Sequence, residues 1–332
     1  MMKTIRIALD AMGGDHGPRE ILRGAWETLA DYPDLEILLV GDSGQFEGCA
    51  HPRLKRIHAP EAVSMEEAPT RAILRKRTSS MVVAIEHVKE GLADAVISTG
   101  NTGAFMSAAL LILGRIPSIE RPAITAVLPS RKGPCILLDV GANADCKPSY
   151  LRQFAVMGSV YARKVLKVEN PRVGLLNIGG EEGKGNELAQ AAYALLKETP
   201  NIDFRGNVEG RELLEGTFDV VVTDGFVGNI TLKSLEGCAL FCGEVLREEI
   251  KRSGLRGMLG YALLNRCLKA CVKRLDYTEY GGAPLLGING ICIVAHGSSK
   301  APAIRHAVRV AYEAVKNQAI ERVSEEIRLL AS

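Results

Sequence analysis

Residues 172–188 read RVGLLNIGGEEGKGNEL. An apolar run ending at Asn177 gives way to glycines, two glutamates and Lys184, and a helical pattern resumes near Asn186. A buried strand, a small polar turn and a helix in succession form the repeating unit of an α/β fold built on a largely parallel sheet. The turn has the composition of a phosphate cradle but not the spacing of a Walker A loop. Three residues, not four, separate Gly179 from Gly183, and Gly185 follows Lys184 where a Ser or Thr would take Mg²⁺. Nucleoside triphosphate is disfavoured. Glycine-exposed N–H groups, one ammonium and a helix N-terminus still suit a smaller anion. For this loop alone, a solvated turn with a surface lysine is the plainer alternative.

Five further junctions repeat the unit: TIRIALD into AMGGDHGP, DAVIS into TGNTG, CILLDV into GANADCKP, FDVVVT into DGFVGN, and GICIVA into HGSSK. Helical patterns run over 18–31, 103–114, 148–167, 186–197, 229–252 and 302–328. In open α/β sheets ligands bind outside the carboxyl ends of the strands, so six polar loops are expected to converge on one site. Each alone is an ordinary turn; it is their number that points to a site. The expected fold is a three-layer α/β/α arrangement, read as one unit over residues 1–332 or as two interwoven lobes.

The 332 residues include 47% hydrophobic and 24% charged side chains, enough for a sizeable core, and the formal charge of +2 gives no argument for nucleic acid. No signal peptide or membrane span is apparent, so a cytoplasmic protein is expected. Eight cysteines lack a C-x-x-C pair. Cys238/Cys242 and Cys267/Cys271 have helical spacing in apolar surroundings, which predicts reduced, mostly buried thiols. Six histidines form no close metal pair, and no zinc site is expected.

Other chemistries lack their anchors. The first turn has no G-x-G-x-x-G for a dinucleotide, and no G-x-S-x-G elbow supports a serine hydrolase. His296 is a candidate base or a hydrogen-bonded structural residue. Asp10, Asp15, Asp139, Glu181, Glu182 and Asp224 offer carboxylates without an obvious dyad. The set is rich in anion binders and poor in covalent nucleophiles. Such a site suits a reaction whose attacking group arrives as a substrate, with the protein supplying orientation and an oxyanion hole.

Taken together, LDAMGGDHGP, STGNTGAFM, LDVGAN, LNIGGEEGKGNEL, GNVEGREL, VVTDGFVGNITLKSLEG and YGGAPLLG followed by AHGSS resemble the bacterial phosphate acyltransferase family of phospholipid synthesis. The likeness spans nearly the whole chain. It implies transfer of a long-chain acyl group from acyl-carrier protein to inorganic phosphate, giving acyl phosphate for glycerol-3-phosphate acylation. It also implies a homodimer, no metal or organic cofactor, and a fold related to phosphotransacetylases and isocitrate or isopropylmalate dehydrogenases. The anion at the 179–185 loop would then be phosphate, held by Lys184. Asn229 would donate to the oxyanion, or else cap its helix; Asp224 would orient phosphate or take its proton, or else brace its turn. The expected substrate-binding set is Asp10, Gly13, Gly14, Asp15, Asn101, Thr102, Asn143, Gly183, Gly228, His296, Ser298 and Ser299. Rival readings are an acyl-CoA phosphotransacetylase, a dehydrogenase of related fold, and a non-enzymatic membrane scaffold.

Residues 247–274 carry eight Lys/Arg against two Glu, a local charge of +6 that leaves −4 on the rest of the +2 chain. Leu255, Met258, Leu259, Ala262 and Leu263 form an apolar helical stripe interrupted by Gly254, Gly257 and Gly260. This basic amphipathic tip is expected to contact anionic lipid at the inner face of the cell membrane through Leu255, Met258, Leu259 and Leu263, or to form a dimer interface.

Overall fold

The computed structural model describes residues 4–46, 51–275 and 281–331. The chain first lays down β1 (Ile5–Asp10), α1 (Gly17–Asp31), β2 (Leu35–Gly41), β3 (Leu54–His58), α2 (Pro69–Arg75), α3 (Ser80–Lys89), β4 (Ala95–Ser98) and α4 (Thr102–Ile112). Next come β5 (Ala123–Ser130), β6 (Gly133–Leu138), α5 (Pro148–Lys164), β7 (Arg172–Asn177), α6 (Glu187–Lys197), β8 (Asp203–Glu209) and β9 (Val220–Val222). Two long helices, α7 (Gly225–Arg252) and α8 (Gly254–Leu275), precede β10 (Ala283–Leu286), β11 (Ile291–Val294), α9 (Ala301–Lys316) and α10 (Ala319–Ala331).

The strands form one eleven-stranded sheet in the order β3-β2-β1-β4-β11-β10-β5-β6-β9-β7-β8. Alternate residues face opposite helical layers. Ile7 and Leu9 pack with Ile21, Ala25 and Leu29 of α1 and Ile304 and Val308 of α9, while Ala8 and Val96 pack with Ile85 of α3 and Phe105 of α4. Further along, Ile136, Val173 and Val220 bury against Phe154 of α5 and Leu196 of α6. Cover on both faces explains why the central strands read as continuous apolar runs.

Pairing is parallel except around β10 and β5. β10 runs antiparallel to both β11 and β5, and β5 runs antiparallel to β6. This reversal corrects the expected convergence of six loops. The carboxyl ends of β1, β4 and β11 lie at one end of the strands, and those of β6, β7 and β9 at the other. The polar junctions therefore fall into two sets of three.

The single C-terminal helix expected over 302–328 is two. Gln318 adopts φ 53°, which breaks the helix, so that α9 serves the α1 side while Val323 and Ile327 of α10 join the core under α5. The α7–α8 pair departs further from expectation. At ~1.5 Å per residue, α7 is about 42 Å long, and its buried residues are Gly225 and Gly228 at its start. Gly254, with φ 59°, forms the joint, and Gly257 lies so near the Ile250 carbonyl that a Cβ would overlap it. These glycines join two helices where weakness in one had been expected. Because the pair projects from the sheet, Cys238, Cys242, Cys267 and Cys271 are exposed, contrary to the burial inferred from their apolar neighbours. Among the described residues Cys135 and Cys292 are the buried thiols, and burial pushes both up to about 12.

Candidate active site

Asp139 follows β6 and is fully buried. Its Oδ1 accepts from the backbone N–H groups of Ile124 (3.0 Å), Gly141 (3.2 Å) and Ala142 (3.0 Å). Its Oδ2 accepts from the backbone and side chain of Asn143 at 2.7 and 2.9 Å. Burial raises this carboxyl above its ordinary range, and the donors oppose that shift. Asn143 also donates from Nδ2 to the Pro122 carbonyl (2.7 Å), and its own carbonyl accepts from Gly225 (2.7 Å). The turn after β6 is thereby fastened to the first residue of α7. Asn143, assigned to substrate from sequence, is occupied as this fastening.

Asp224 is the N-cap of α7, its Oδ1 accepting from the Val227 N–H at 2.9 Å. Capping thus belongs to Asp224 and not to Asn229. Gly228 lies against the Asp139 carbonyl so closely that any Cβ would overlap it, which makes it a packing residue. Asn229 stands one turn into α7, exposed, with Nδ2 donating to the Val140 carbonyl at 2.9 Å. One of its two amide hydrogens is held, which fixes the direction of the other.

The loop after β7 reaches the same end of the sheet. β7 and β9 are parallel with Leu175 beside Val222, so the chain leaves both strands at the same end. Asn177 closes the loop on itself: Oδ1 accepts from the Ile178 N–H (2.8 Å) and Nδ2 donates to the Lys184 carbonyl (3.0 Å). From α6, Gln190 Nε2 adds bonds to the carbonyls of Gly183 (3.0 Å) and Gly185 (3.2 Å), and Asn186 caps α6 through the Ala189 N–H at 2.9 Å. Gly183 is exposed with open space around it. Lys197 pairs with Glu182 across this loop, whereas Lys184 is exposed and in no ion pair among the described residues.

The remaining expected residues gather at the other end of the strands. Asp10 is buried, with Ser80 and Ser98 hydroxyls each donating to it at 2.6 Å; burial raises its carboxyl and these donors oppose the rise. It holds the turn from beneath and does not line its surface. Gly13 and Gly14 bring the backbone against Gly100 and Gly297, and the exposed Asp15 donates its N–H to the Gly297 carbonyl at 2.8 Å. Asn101 caps α4 through Ala104 (3.0 Å) and donates to the carbonyls of Ser64 (3.4 Å), Met65 (3.0 Å) and Glu67 (3.2 Å), which leaves Thr102 exposed on the first turn. His296 is exposed, its Nδ1 2.8 Å from the Ser298 hydroxyl, and Ser299 is buried with its N–H on the His296 carbonyl. Sequence reading missed Ser80, Ser98, Asn177 and Gln190, whose roles depend on contacts that local spacing does not reveal. Asp139 was noted as a loop carboxylate, and its buried N–H shell gives it a positioning role.

The family model described as "Fatty acid synthesis protein" matches residues 5–322. A phosphate acyltransferase from Desulforamulus reducens is 51% identical over 328 residues, covering 97% of each chain. A phosphotransacetylase from Streptococcus pyogenes superposes with a TM-score of 0.63 at 19% identity, covering 97% of this chain and 95% of that one. A 4-hydroxythreonine-4-phosphate dehydrogenase from Klebsiella pneumoniae gives 0.53 at 13% identity, covering 94% and 100%. Those two likenesses concern the fold alone, and they agree with the expected α/β class.

Proposed function

The chain belongs to the phosphate acyltransferase family, and we propose that it transfers a long-chain acyl group from acyl-carrier protein to inorganic phosphate, releasing acyl phosphate for phospholipid synthesis. Lys184, an exposed ammonium outside any ion pair among the described residues on a loop closed by Asn177 and Gln190, is the observation that carries the site assignment. In this reading Lys184 draws orthophosphate to the loop, where the exposed Gly183 leaves room. A phosphate oxygen attacks the thioester carbonyl carbon. The carbonyl oxygen becomes negative and accepts a hydrogen bond from one Asn229 amide N–H, while the other donates to the Val140 carbonyl. Collapse breaks the C–S bond, and the thiolate recovers the proton that phosphate gives up, by way of Asp224 or directly. The loops at the ends of β1, β4 and β11 remain candidates for holding the donor.

The reading extends to assembly and location. Among the described residues, no helix is long and apolar enough to cross a membrane. Leu255, Met258, Leu259 and Leu263 are all exposed on α8, 88% for Leu255, in a strongly basic segment. That combination favours a peripheral contact with anionic lipid, from a homodimer in the cytoplasm. Assaying thiol release from palmitoyl-carrier protein and palmitoyl-CoA, with and without orthophosphate, tests the function. Release that depends on phosphate and favours the carrier protein supports it; equal or better use of the CoA ester favours a phosphotransacetylase.

A further inference from the structure

An enzyme of this kind must hold an acyl chain. A cavity between β10, β11 and α10, bordered by Tyr161, Leu286, Ile293 and Val323, holds only about 30 Å³. That cavity is too small for a chain of many methylenes, which directs attention to exposed apolar side chains. Single exposed apolar side chains are ordinary, but a group of them beside reactive polar groups is not.

Three such side chains lie on the loop that carries Lys184 and the helix that carries Asn229. Ile178 is 83% exposed, Phe226 61% and Ile230 51%. Phe226 and Ile230 stand one turn apart on α7, and Phe226 is at i,i+3 from Asn229, so all three share a helix face. Ile178 follows β7, whose parallel neighbour β9 leads into α7. Both its N–H and the Lys184 carbonyl are bound by the Asn177 amide, which holds Ile178 and Lys184 on one closed loop. We propose that Ile178, Phe226 and Ile230 seat the acyl chain beyond its first few carbons and thereby set the preference for long over short donors.

This proposal rests on the acyl-transfer reading and goes beyond it by assigning the chain-binding surface. Its chemistry is burial: each seated methylene should raise kcat/KM about fourfold until the seat is filled. Neither Ile178 nor Phe226 supports the core, so polar replacements leave the fold intact.

The experiment compares butyryl-, octanoyl- and palmitoyl-carrier protein with saturating phosphate for wild type, Ile178→Ser, Phe226→Ser, the double variant and the conservative Phe226→Leu. Wild-type kcat/KM should climb with length. The serine variants should lose 10- to 100-fold on octanoyl and palmitoyl donors and much less on butyryl, with Phe226→Leu close to wild type and the oligomer size unchanged. Equal losses at every length, no loss at any, or loss accompanied by a changed oligomer size overturns the assignment. If wild type shows no phosphate-dependent transfer with any donor, the underlying reaction fails and the seat with it.

Discussion

Lys184 and Asn229 differ from the residues around them in having donor capacity the fold does not consume. Lys184→Ala removes no core contact, so its melting temperature should match wild type while turnover falls roughly 10²-fold or more. Asn229→Ala also loses the bond to Val140, about 1 kcal/mol of stability, with a similar loss of rate. Circular dichroism together with steady-state kinetics checks both, and near-wild-type rates would remove the assigned roles. Gly228→Ala should act differently, because its Cβ meets the Asp139 carbonyl backbone and cannot be accommodated by a rotamer change. A stability loss of roughly 1–3 kcal/mol with reduced activity is expected, measured by denaturant titration. Asp10 gives a pH signature. Burial raises its carboxyl from 3.8, so the native protein holds that proton more tightly than the unfolded chain. Its stability contribution is then full below about pH 4 and is lost as pH rises through the native value. The melting-temperature advantage of wild type over Asp10→Asn should shrink from acidic to neutral pH; a widening advantage contradicts the burial argument.

Among the elements, the strands that lead into glycine-rich turns were legible because each joins an apolar run to a turn signal, and Asn186 was recognisable as the start of α6. β2, β3, β5, β8 and β10 were not singled out, although β2 and β10 also run into glycine-containing turns, at 41–44 and 287–290. β10 had the greatest consequence, because its antiparallel pairing with β11 and β5 divides the loops into two sets. Nothing in a local pattern announces strand direction. In the α7–α8 pair the apolar stripe was readable, but the exposure of four cysteines was not, because burial depends on whether a helix packs on the sheet or projects from it. Leu259→Glu should reduce sedimentation with anionic vesicles while leaving soluble activity largely unchanged, since an inserted leucine contributes roughly 1.5–3 kcal/mol and a buried carboxylate adds a cost. Raised salt should weaken binding too, by screening the basic flanks. Wild-type sedimentation by Leu259→Glu, or conversion to inactive monomers, would assign the stripe to an interface.

For the whole molecule, the sheet supplies rigidity and the chemistry is left to loops fixed by caps, closed turns and a buried carboxylate. In the proposed reaction a phosphate ion is the nucleophile. The direct measurement is the fate of palmitoyl-carrier protein incubated with the purified protein and a chelator, with orthophosphate present or omitted. Free thiol and hydroxylamine-trappable acyl phosphate should appear together in equal amounts, only when phosphate is present and at a rate the chelator does not change. Thiol release that continues without phosphate, or that leaves no trappable acyl group, would contradict acyl transfer to phosphate.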